Sequence, residues 1–255
     1  MEKKIRFMTF NIQHGFDHLR KDGIRLGAMA EKIALFSPDI ISLNEVRNGD
    51  TVKGGKDDLF DNSLYFDETK YLAELLGYEY FFFGKSIDIS GGEYGNAVIS
   101  RFPMENAEVF KIPDTFYAPE KHYESRTILR ASFTYPLSFD VYISHFGVRT
   151  TEEREKAVEL ILSLTENSKV PFAFMGDLND TPDADCLKPL YEKYTDALEA
   201  MGRKFDPTFI SDAPTKRIDH IFVSRNVSVS DAFVPADAVA SDHLPVVADA
   251  VFTAE

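Results

Sequence analysis

Cysteine and long apolar runs are scarce in this sequence, and each shortage narrows the class of protein. Cys186 is the only cysteine among the 255 residues, which rules out an intrachain disulfide and agrees with a reducing compartment. We interpret it as a small packing residue, because no catalytic motif surrounds it. No apolar run approaches the roughly 20 residues that span a bilayer, and the N-terminus has no apolar segment of signal-peptide length. We therefore expect a cytoplasmic protein with no membrane span.

Basic residues are also in short supply. The chain has 28 Lys and Arg against 42 Asp and Glu, for a formal net charge of −14. Nucleic acid duplexes are bound mainly by Lys and Arg that neutralise phosphates, so a chain this acidic starts at an electrostatic disadvantage. This disfavours a processive or sequence-reading nucleic-acid binder. A bound divalent cation would offset acidic charge near a site, so the disadvantage concerns the surface more than a pocket.

No linker rich in Gly, Ser or Pro divides the chain, and no internal repeat is present. Candidate site residues run from Asn11 to His243, so neither half of the chain could hold the site alone. We expect one domain over residues 1–255, and we expect the protein to be a monomer.

Apolar spacing predicts alternating strands and helices. A helix with Leu26 on its apolar face is predicted to end before Pro38, which is a stop signal. Another helix follows Thr150, whose spacing to Glu153 has the form of a capping box. The aromatic run at 78–83 is interpreted as a core strand rather than a platform for stacked bases, because no basic residues interrupt it. Together with further short strands, these elements predict a layered α/β fold in which two sheets pack face to face with helices outside. Those further strands are predicted at 96–100, 128–133 and 246–252.

The stretch 171–180 is an apolar run that stops at a cluster of oxygen-bearing side chains. Asp177 and Asn179 alternate, so they lie on the same side of an extended chain. A carboxylate and a carboxamide oxygen suit a hard cation such as Mg²⁺, or a water bound beside one. The segment is equally typical of a strand followed by an Asx-rich turn, because Asp and Asn side chains mimic turns and Pro182 follows. On this segment alone both interpretations stay open.

The same arrangement recurs along the chain, where other apolar runs end beside or contain a potential ligand or proton carrier. In open α/β sheets, ligands gather at the edge where loops leave the strands, so such residues can converge although they are far apart in sequence. The residues concerned are Asn11, Glu45, His145, Asp219, Asp242 and His243.

With these segments in order, the sequence resembles the endonuclease/exonuclease/phosphatase superfamily along nearly its full length. The resemblance implies a four-layer α/β/β/α sandwich with two mixed sheets, a single catalytic domain over residues 1–255, and hydrolysis of phosphate esters with Mg²⁺ or Mn²⁺. The matching segments are TFNI at 9–12, PDIISLNEV at 38–46, YGNAVISRFP at 94–103, SHFG at 144–147, GDLND at 176–180, RIDHIF at 217–222 and SDHLPV at 241–246.

By motif position, the resemblance implies which oxygen-bearing residues hold the metal and the water. Glu45 would be the main metal ligand, with Asn11 close to the metal and the phosphate. Asp242 would support the metal site. Asp177 and Asn179 would hold the nucleophilic water and the phosphate or a second metal position. Carboxylate and carboxamide oxygens suit both tasks.

The resemblance implies that the remaining candidates contact the phosphate or move protons. His243, oriented by Asp219, would contact the reacting phosphate or transfer a proton, because an acid beside a histidine fixes its tautomer and favours its protonated form. His145 would donate to a non-bridging phosphate oxygen. Arg126 and Asn96 are candidates for substrate binding, although a structural ion pair suits Arg126 equally well.

The chain departs from the family pattern at two places near these residues. Asn44 stands where Gln is common, which is expected to change a supporting hydrogen bond. After His145 the chain continues with Phe146 and Gly147, which matches neither the secreted diesterases nor the DNA-repair branch and disfavours a repair endonuclease. The other histidines are interpreted as lying outside the catalytic group: His14, His18 and His122 in loops or at the surface, and His220 on the opposite face of its strand from Asp219.

The function predicted from these residues is metal-dependent hydrolysis of a small or medium phosphate ester, such as a sugar phosphate, a lipid headgroup or a nucleotide. The alternatives are an endonuclease or exonuclease acting on DNA or RNA, and a non-catalytic binding module. Loops at 48–67, 112–123 and 203–215 are expected to select the leaving group, and they carry no motif that names a substrate.

Overall fold

Two six-stranded β-sheets form the frame of the protein. The computed structural model describes residues 2–19, 23–49, 67–89, 92–115 and 124–253. The strands are β1 Glu2–Asn11, β2 Ile40–Asn48, β3 Tyr80–Ile89, β4 Gly92–Ser100, β5 Asn106–Lys111, β6 Thr127–Phe133, β7 Phe139–Ser144, β8 Phe172–Asp177, β9 Thr195–Asp196, β10 Asp219–Val223, β11 Ser228–Phe233 and β12 Val246–Thr253. The helices are α1 Leu26–Phe36, α2 Glu68–Leu76, α3 Thr151–Glu166, α4 Lys188–Lys193 and α5 Ala197–Ala200, with 3₁₀ turns at Gln13–Gly15 and Asp185–Leu187.

Both sheets are mixed, and they share one pattern of pairing. The strand order is β11-β12-β1-β2-β4-β3 in the first sheet and β5-β6-β7-β8-β10-β9 in the second. In each sheet the third and fourth strands pair in parallel, as β1 with β2 and β7 with β8, and the other pairs are antiparallel. Parallel neighbours emerge from the sheet at the same edge, so each sheet can present polar groups there.

The main core lies between the two sheets. Phe7 of the first sheet packs edge-on against Phe139 of the second, with ring centroids 6.5 Å apart, and Ile5 and Val98 join Val141 in the same buried cluster. A second cluster packs α1 and α2 on the outer face of the first sheet. A third packs α3 and α4 on the outer face of the second. The expected four-layer α/β/β/α sandwich is confirmed; the extent of a single domain over 1–255 stays a prediction.

The two helices predicted from local signals are confirmed. Helix α1 buries Leu26, Met29 and other residues of its apolar face. Helix α3 begins with the predicted capping box, in which the Glu153 backbone N–H donates to the Thr150 hydroxyl and the Thr150 N–H donates to the Glu153 carboxylate. Such caps contribute about 1 kcal/mol each because they satisfy backbone donors at the helix start.

The aromatic run at 78–83 forms a strand from Tyr80 onward, and its phenylalanines pack against the buried clusters on both faces of the sheet. Strand β3 begins at Tyr80 and lies at the edge of its sheet, and its first residues are only half buried. The alternation of a strand explains this, because Phe82 packs on the core between the sheets while Phe81 and Phe83 face the helix side. Tyr78 precedes the strand and donates its hydroxyl hydrogen to the Pro38 carbonyl.

Cys186 is buried and packs among apolar residues outside the second sheet, within a 3₁₀ turn. No helix in the described ranges combines the length and the apolar character needed to cross a membrane.

Candidate active site

Strand ends from both sheets meet at one edge of the sandwich. Asn11 ends β1 and Asp177 ends β8. Asp219 begins β10, which runs antiparallel to β8, and it pairs directly with Asp177 in the ladder. Asn11 and Asp177, which are 166 positions apart in sequence, therefore lie side by side, as the recurring strand-end pattern predicted.

The carboxylate of Asp177 lies at the centre of this group and is almost completely buried. Its Oδ2 accepts a hydrogen bond of 3.0 Å from the Asn11 amide nitrogen. The same oxygen lies 3.5 Å from Nε2 of His145 and 3.6 Å from Nε2 of His243. Three nitrogen groups from three different strands or loops therefore converge on one carboxylate oxygen.

Burial raises the pKa of Asp177 to about 7, and the negative charge of Asp219 adds to this, whereas the positive charge of His243 opposes it. Hydrogen bonds from the Asn179 backbone and from Asn11 also favour the ionised form. A carboxyl group whose pKa lies near neutrality can accept and return a proton at physiological pH. Asp177 is therefore suited to act as a general base.

His243 is held by Asp219, which is fully buried. The Nδ1 of His243 lies 2.8 Å from Asp219 Oδ2. Burial by itself lowers the pKa of His243, but the charges of Asp219 and Asp177 outweigh that effect and raise it to about 10. The imidazole is therefore a cation at neutral pH, with Nδ1 donating to Asp219 and Nε2 directed toward Asp177.

His145 has the opposite electrostatic surroundings. Its Nδ1 lies 3.0 Å from Nη1 of Arg126, and the same nitrogen of Arg126 forms a 2.6 Å ion pair with Glu124. Burial lowers the pKa of His145 well below its usual value, and the positive charges of Arg126 and His243 lower it further. His145 is therefore neutral where His243 is charged.

Glu45 enters the site from an irregular point in β2. The register of β2 against β4 shifts between Leu43 and Val46, and Glu45 has a left-handed φ of 58°. Such a bulge turns a side chain out of the regular alternation of a strand. The Asn11 amide nitrogen donates to Glu45 Oε1 at 3.0 Å as well as to Asp177, while its oxygen accepts from the Gln13 backbone N–H. Asn11 thus joins the two carboxylates.

The loop after β8 fixes Asn179 next to these groups. Asn179 also has a left-handed φ, of 53°, and its side-chain nitrogen donates to the Phe146 carbonyl at 2.9 Å. Gly176 precedes Asp177 with φ 147°, and a Cβ there would lie 1.8 Å from the Ser144 carbonyl oxygen. Only glycine allows β8 to approach β7 this closely.

Asn44 connects the two sheets beneath the site. Its side-chain oxygen accepts from the Asp177 backbone N–H at 2.9 Å, and its nitrogen donates to the Asn96 side chain at 2.7 Å and to the Ser144 carbonyl at 3.1 Å. Asn96 in turn donates to the Thr127 carbonyl. Contact of Asn96 or Arg126 with a substrate stays a prediction; the contacts that the structure shows are with their neighbours in the protein.

The remaining predicted residues lie around this centre or away from it. Asp242 is adjacent to His243, and its charge adds to the raised pKa of that histidine. His220 points to the opposite side of β10, as predicted, where it contacts the Asp180 carbonyl and the Tyr191 hydroxyl. His18 lies near Asp212 in a loop, His14 is in the 3₁₀ turn after β1, and His122 lies outside the described residues.

Two residues near the site were absent from the predicted set. Burial raises the pKa of Tyr94 well above its usual value, and the charges of Glu45 and Glu124 raise it further, which places the phenol beside both acids. Glu124 forms the ion pair with Arg126. Strand alternation could have identified Tyr94, because it lies two residues before Asn96 in the same quoted motif and therefore on the same face. Glu124 stands two residues before Arg126 in a Glu-x-Arg segment that matches the family pattern, and this is the signal that could have identified it.

The site is rich in the oxygen ligands that suit a hard divalent cation. Within the described ranges, the acid and histidine group compact enough to hold an ion is Asp177, Asp219 and His243, whose ligand atoms lie within 4.8 Å of one another. It differs from the predicted set of Glu45, Asn11 and Asp242. Without a bound metal, His243 of this compact group is a cation that donates to Asp219, so the group can also serve in proton transfer. Metal binding at Glu45 stays a prediction that this oxygen-rich surrounding fits.

Comparison with known proteins agrees with this architecture. A model of the Endonuclease/Exonuclease/phosphatase family matches residues 8–243. The protein YbhP of Escherichia coli (strain K12) is 24% identical over 255 residues, which cover 96% of this chain and 95% of YbhP. A solved endonuclease/exonuclease/phosphatase from Beutenbergia cavernae superposes with a TM-score of 0.76 at 24% identity, covering 97% of this chain and 71% of that one. A mannosyl-6-phosphatase from Bacteroides thetaiotaomicron superposes with a TM-score of 0.71 at 21% identity, covering 97% and 100%. These structural likenesses indicate a shared fold.

Proposed function

Because the chain belongs to the Endonuclease/Exonuclease/phosphatase family, whose members are hydrolases, we propose that it is a divalent-metal-dependent phosphoesterase acting on a small or medium phosphate ester. The observation that carries the proposal is the convergence of Asn11, His145 and His243 on one oxygen of Asp177. Hydrolysis of a phosphate ester needs an activated water and donors for the charge that develops on the phosphoryl oxygens. The three nitrogen groups and the carboxylate supply these functions within one buried cluster.

Each protein group has a task in this reaction. Asp177, with its pKa near 7, orients the attacking water and takes up its proton. His243, a cation held by Asp219, donates to the phosphoryl group and gives a proton to the ester oxygen as the bond between that oxygen and phosphorus breaks. His145 donates a neutral N–H to a second phosphoryl oxygen. Asn179 helps to position the phosphate, and its own side chain is fixed by the Phe146 carbonyl.

A metal ion would be held by Glu45, with Asn11 nearby and Asp242 in support. Mg²⁺ or Mn²⁺, when bound, supplies a Lewis acid that polarises the phosphoryl oxygens. Glu45 is only half-buried at its bulge, and Asn11 links its carboxylate to that of Asp177 by hydrogen bonds to both.

A small phosphate ester, such as a sugar phosphate, is the substrate class that we favour. The net charge of −14 disfavours a long polyanion. Structural likeness to a protein described as a mannosyl-6-phosphatase supports, at the level of the fold, a sugar phosphate as the first candidate. We also propose that the catalytic domain extends over residues 1–255.

The test is release of phosphate or of alcohol from a panel of phosphate monoesters and diesters, with Mg²⁺, with Mn²⁺ and with a chelator. Turnover that requires a metal and is lost in Asp177→Asn, but retained in Asp185→Asn, is the expected result. Asp185 is a suitable control because its side chain is 90% exposed. Absence of turnover by the native protein on every ester and with either metal would rule out the proposal.

The same experiment separates the alternatives. Plasmid nicking or oligonucleotide shortening that disappears in Asp177→Asn, without hydrolysis of small esters, would assign a nuclease instead. Absence of all three activities would favour a non-catalytic binding module.

A further inference from the structure

We propose that Arg126 is a positioning residue that fixes His145 as a neutral imidazole with its proton on Nε2. The proposal rests on the proposed function, because it assigns how one phosphate-binding group of that site is kept in its working form. It also assigns to Arg126 a role other than direct contact with the substrate.

The hydrogen bond between Arg126 and His145 can run in only one direction. Nη1 of Arg126 lies 3.0 Å from Nδ1 of His145, and both side chains are buried. A guanidinium group has only donors, and it keeps its proton in proteins. A hydrogen bond between these atoms therefore requires that Nδ1 of His145 is the acceptor and carries no hydrogen.

The other side of the ring agrees with this assignment. With Nδ1 bare, the single ring proton must be on Nε2, and Nε2 lies 3.5 Å from the Asp177 carboxylate. When Asp177 is ionised, an N–H facing it is favourable, whereas a bare nitrogen there would face a carboxylate oxygen with no hydrogen between them. The two neighbours of His145 thus select the same tautomer independently.

Glu124 explains why the guanidinium is held in this orientation. It forms a 2.6 Å ion pair with Nη1, the nitrogen that also faces His145. This ion pair holds the same nitrogen of the guanidinium beside the His145 imidazole.

The two histidines of the site therefore have different tasks. Asp219 accepts from Nδ1 of His243 and favours a cation, whereas Arg126 donates to Nδ1 of His145 and excludes one. His145 can bind a phosphoryl oxygen through Nε2–H, but it has no second proton to give to a leaving group. Only His243 can serve as a general acid among these two.

NMR spectroscopy can show directly which ring nitrogen of His145 carries the proton. Native protein with ¹⁵N-labelled histidine is examined without metal or substrate by two-bond ¹H–¹⁵N correlation, and His145 is assigned by comparison with His145→Gln. We expect one protonated ring nitrogen, Nε2, and one bare nitrogen, Nδ1. In Arg126→Met we expect the Nδ1–H tautomer to become populated and kcat to fall about tenfold to hundredfold with little change in KM, because His145 then donates for only part of the time.

Two further variants make the comparison specific. Arg126→Lys keeps a cation that can only donate, so we expect it to retain the Nε2–H tautomer and more of kcat than Arg126→Met does. Arg130→Met removes an arginine of β6 that pairs with Asp140, away from the site, and we expect native tautomer and kcat.

The following results would overturn the proposed role of Arg126 or separate it from the proposed function. A proton on Nδ1 of native His145, or protons on both nitrogens, would overturn the proposal, and this measurement does not depend on any arginine variant folding. A folded Arg126→Met with native tautomer and native kcat would overturn it as well. The Nε2–H tautomer in a protein that hydrolyses no phosphate ester would support the proton assignment and contradict the proposed function.

Discussion

Asp219 accepts a 2.8 Å hydrogen bond from Nδ1 of His243, and both residues are buried. We predict that Asp219→Asn lowers kcat for phosphate-ester hydrolysis by about 10²-fold to 10⁴-fold, because the variant loses the charge that keeps His243 protonated. The pKa of His243, raised to about 10 in the native protein, should fall in the variant. An NMR titration of the chelator-treated protein measures it.

The stability of the native protein should depend on pH through the same pair, Asp219 and His243. A histidine whose pKa is raised by folding stabilises the folded state fully below its unfolded pKa, and the contribution is lost as the pH rises toward about 10. The free energy of unfolding of Asp219→Asn should therefore be lower than that of the native protein at pH 7, and this difference should be smaller at pH 10. Asp231→Asn, an exposed acid of β11, is the control, and equal kcat in the two variants would contradict the assigned role of Asp219.

Glu45→Gln should weaken binding of Mn²⁺ at least tenfold, because a neutral amide replaces the carboxylate proposed as main ligand. Isothermal calorimetry measures the affinity, and kcat at saturating metal should fall by a further large factor. Glu74→Gln on α2 provides the control, since that side chain is 64% exposed. Binding of Mn²⁺ by Glu45→Gln as tightly as by the native protein would move the metal site elsewhere.

Asn44→Gln should destabilise the protein by about 1–3 kcal/mol, because the added methylene must fit at a fully buried position. The Asn44 side chain bridges the Asp177 N–H and the Ser144 carbonyl at its present length. A longer side chain would displace Asp177, so kcat should also fall. Urea unfolding and steady-state kinetics measure the two effects. Asn226→Gln makes the same change at an exposed position, and equal stability of both variants would show that the site tolerates the longer residue.

Glu68→Gln should remove a pH dependence of stability. Glu68 is fully buried; one oxygen accepts from the Arg47 backbone N–H, and the other has no partner among the described residues. Burial raises the pKa of Glu68 to about 8, so the folded state favours the protonated acid. Its stabilising contribution is complete below about pH 4.5 and is lost as the pH rises through about 8, at roughly 1.4 kcal/mol per pKa unit.

Chemical unfolding at pH 5 and pH 8.5 tests this. The neutral amide should make Glu68→Gln more stable than the native protein at pH 8.5, and the advantage should shrink or reverse at pH 5. Glu74→Gln lies on the same helix and is exposed, so its difference from the native protein should not depend on pH. A parallel pH dependence for native protein and Glu68→Gln would show that Glu68 ionises normally.

Features that depend on near neighbours in sequence were predicted well. The capping box of Thr150 and Glu153 and the apolar face of α1 arise from contacts within one helix, and the structure has both. The aromatic run at 78–83 shows the limit, because its strand was predictable while its place at the sheet edge depends on which strands pair. Pairing is decided by residues distant in the chain, and the run itself carries no record of them.

The sequence by itself determined which chemical groups are available, in or beside its apolar runs, and the order of motifs that indicates the family. These groups are Asn11, Glu45, Asp177, Asp219 and His243. The tertiary structure decided what those groups do to one another. It turned the amide nitrogen of Asn11 toward two carboxylates, and it placed Asp219 against His243 but Arg126 against His145. The protonation of an imidazole depends on the burial and charge around it, and these are properties of the folded chain alone.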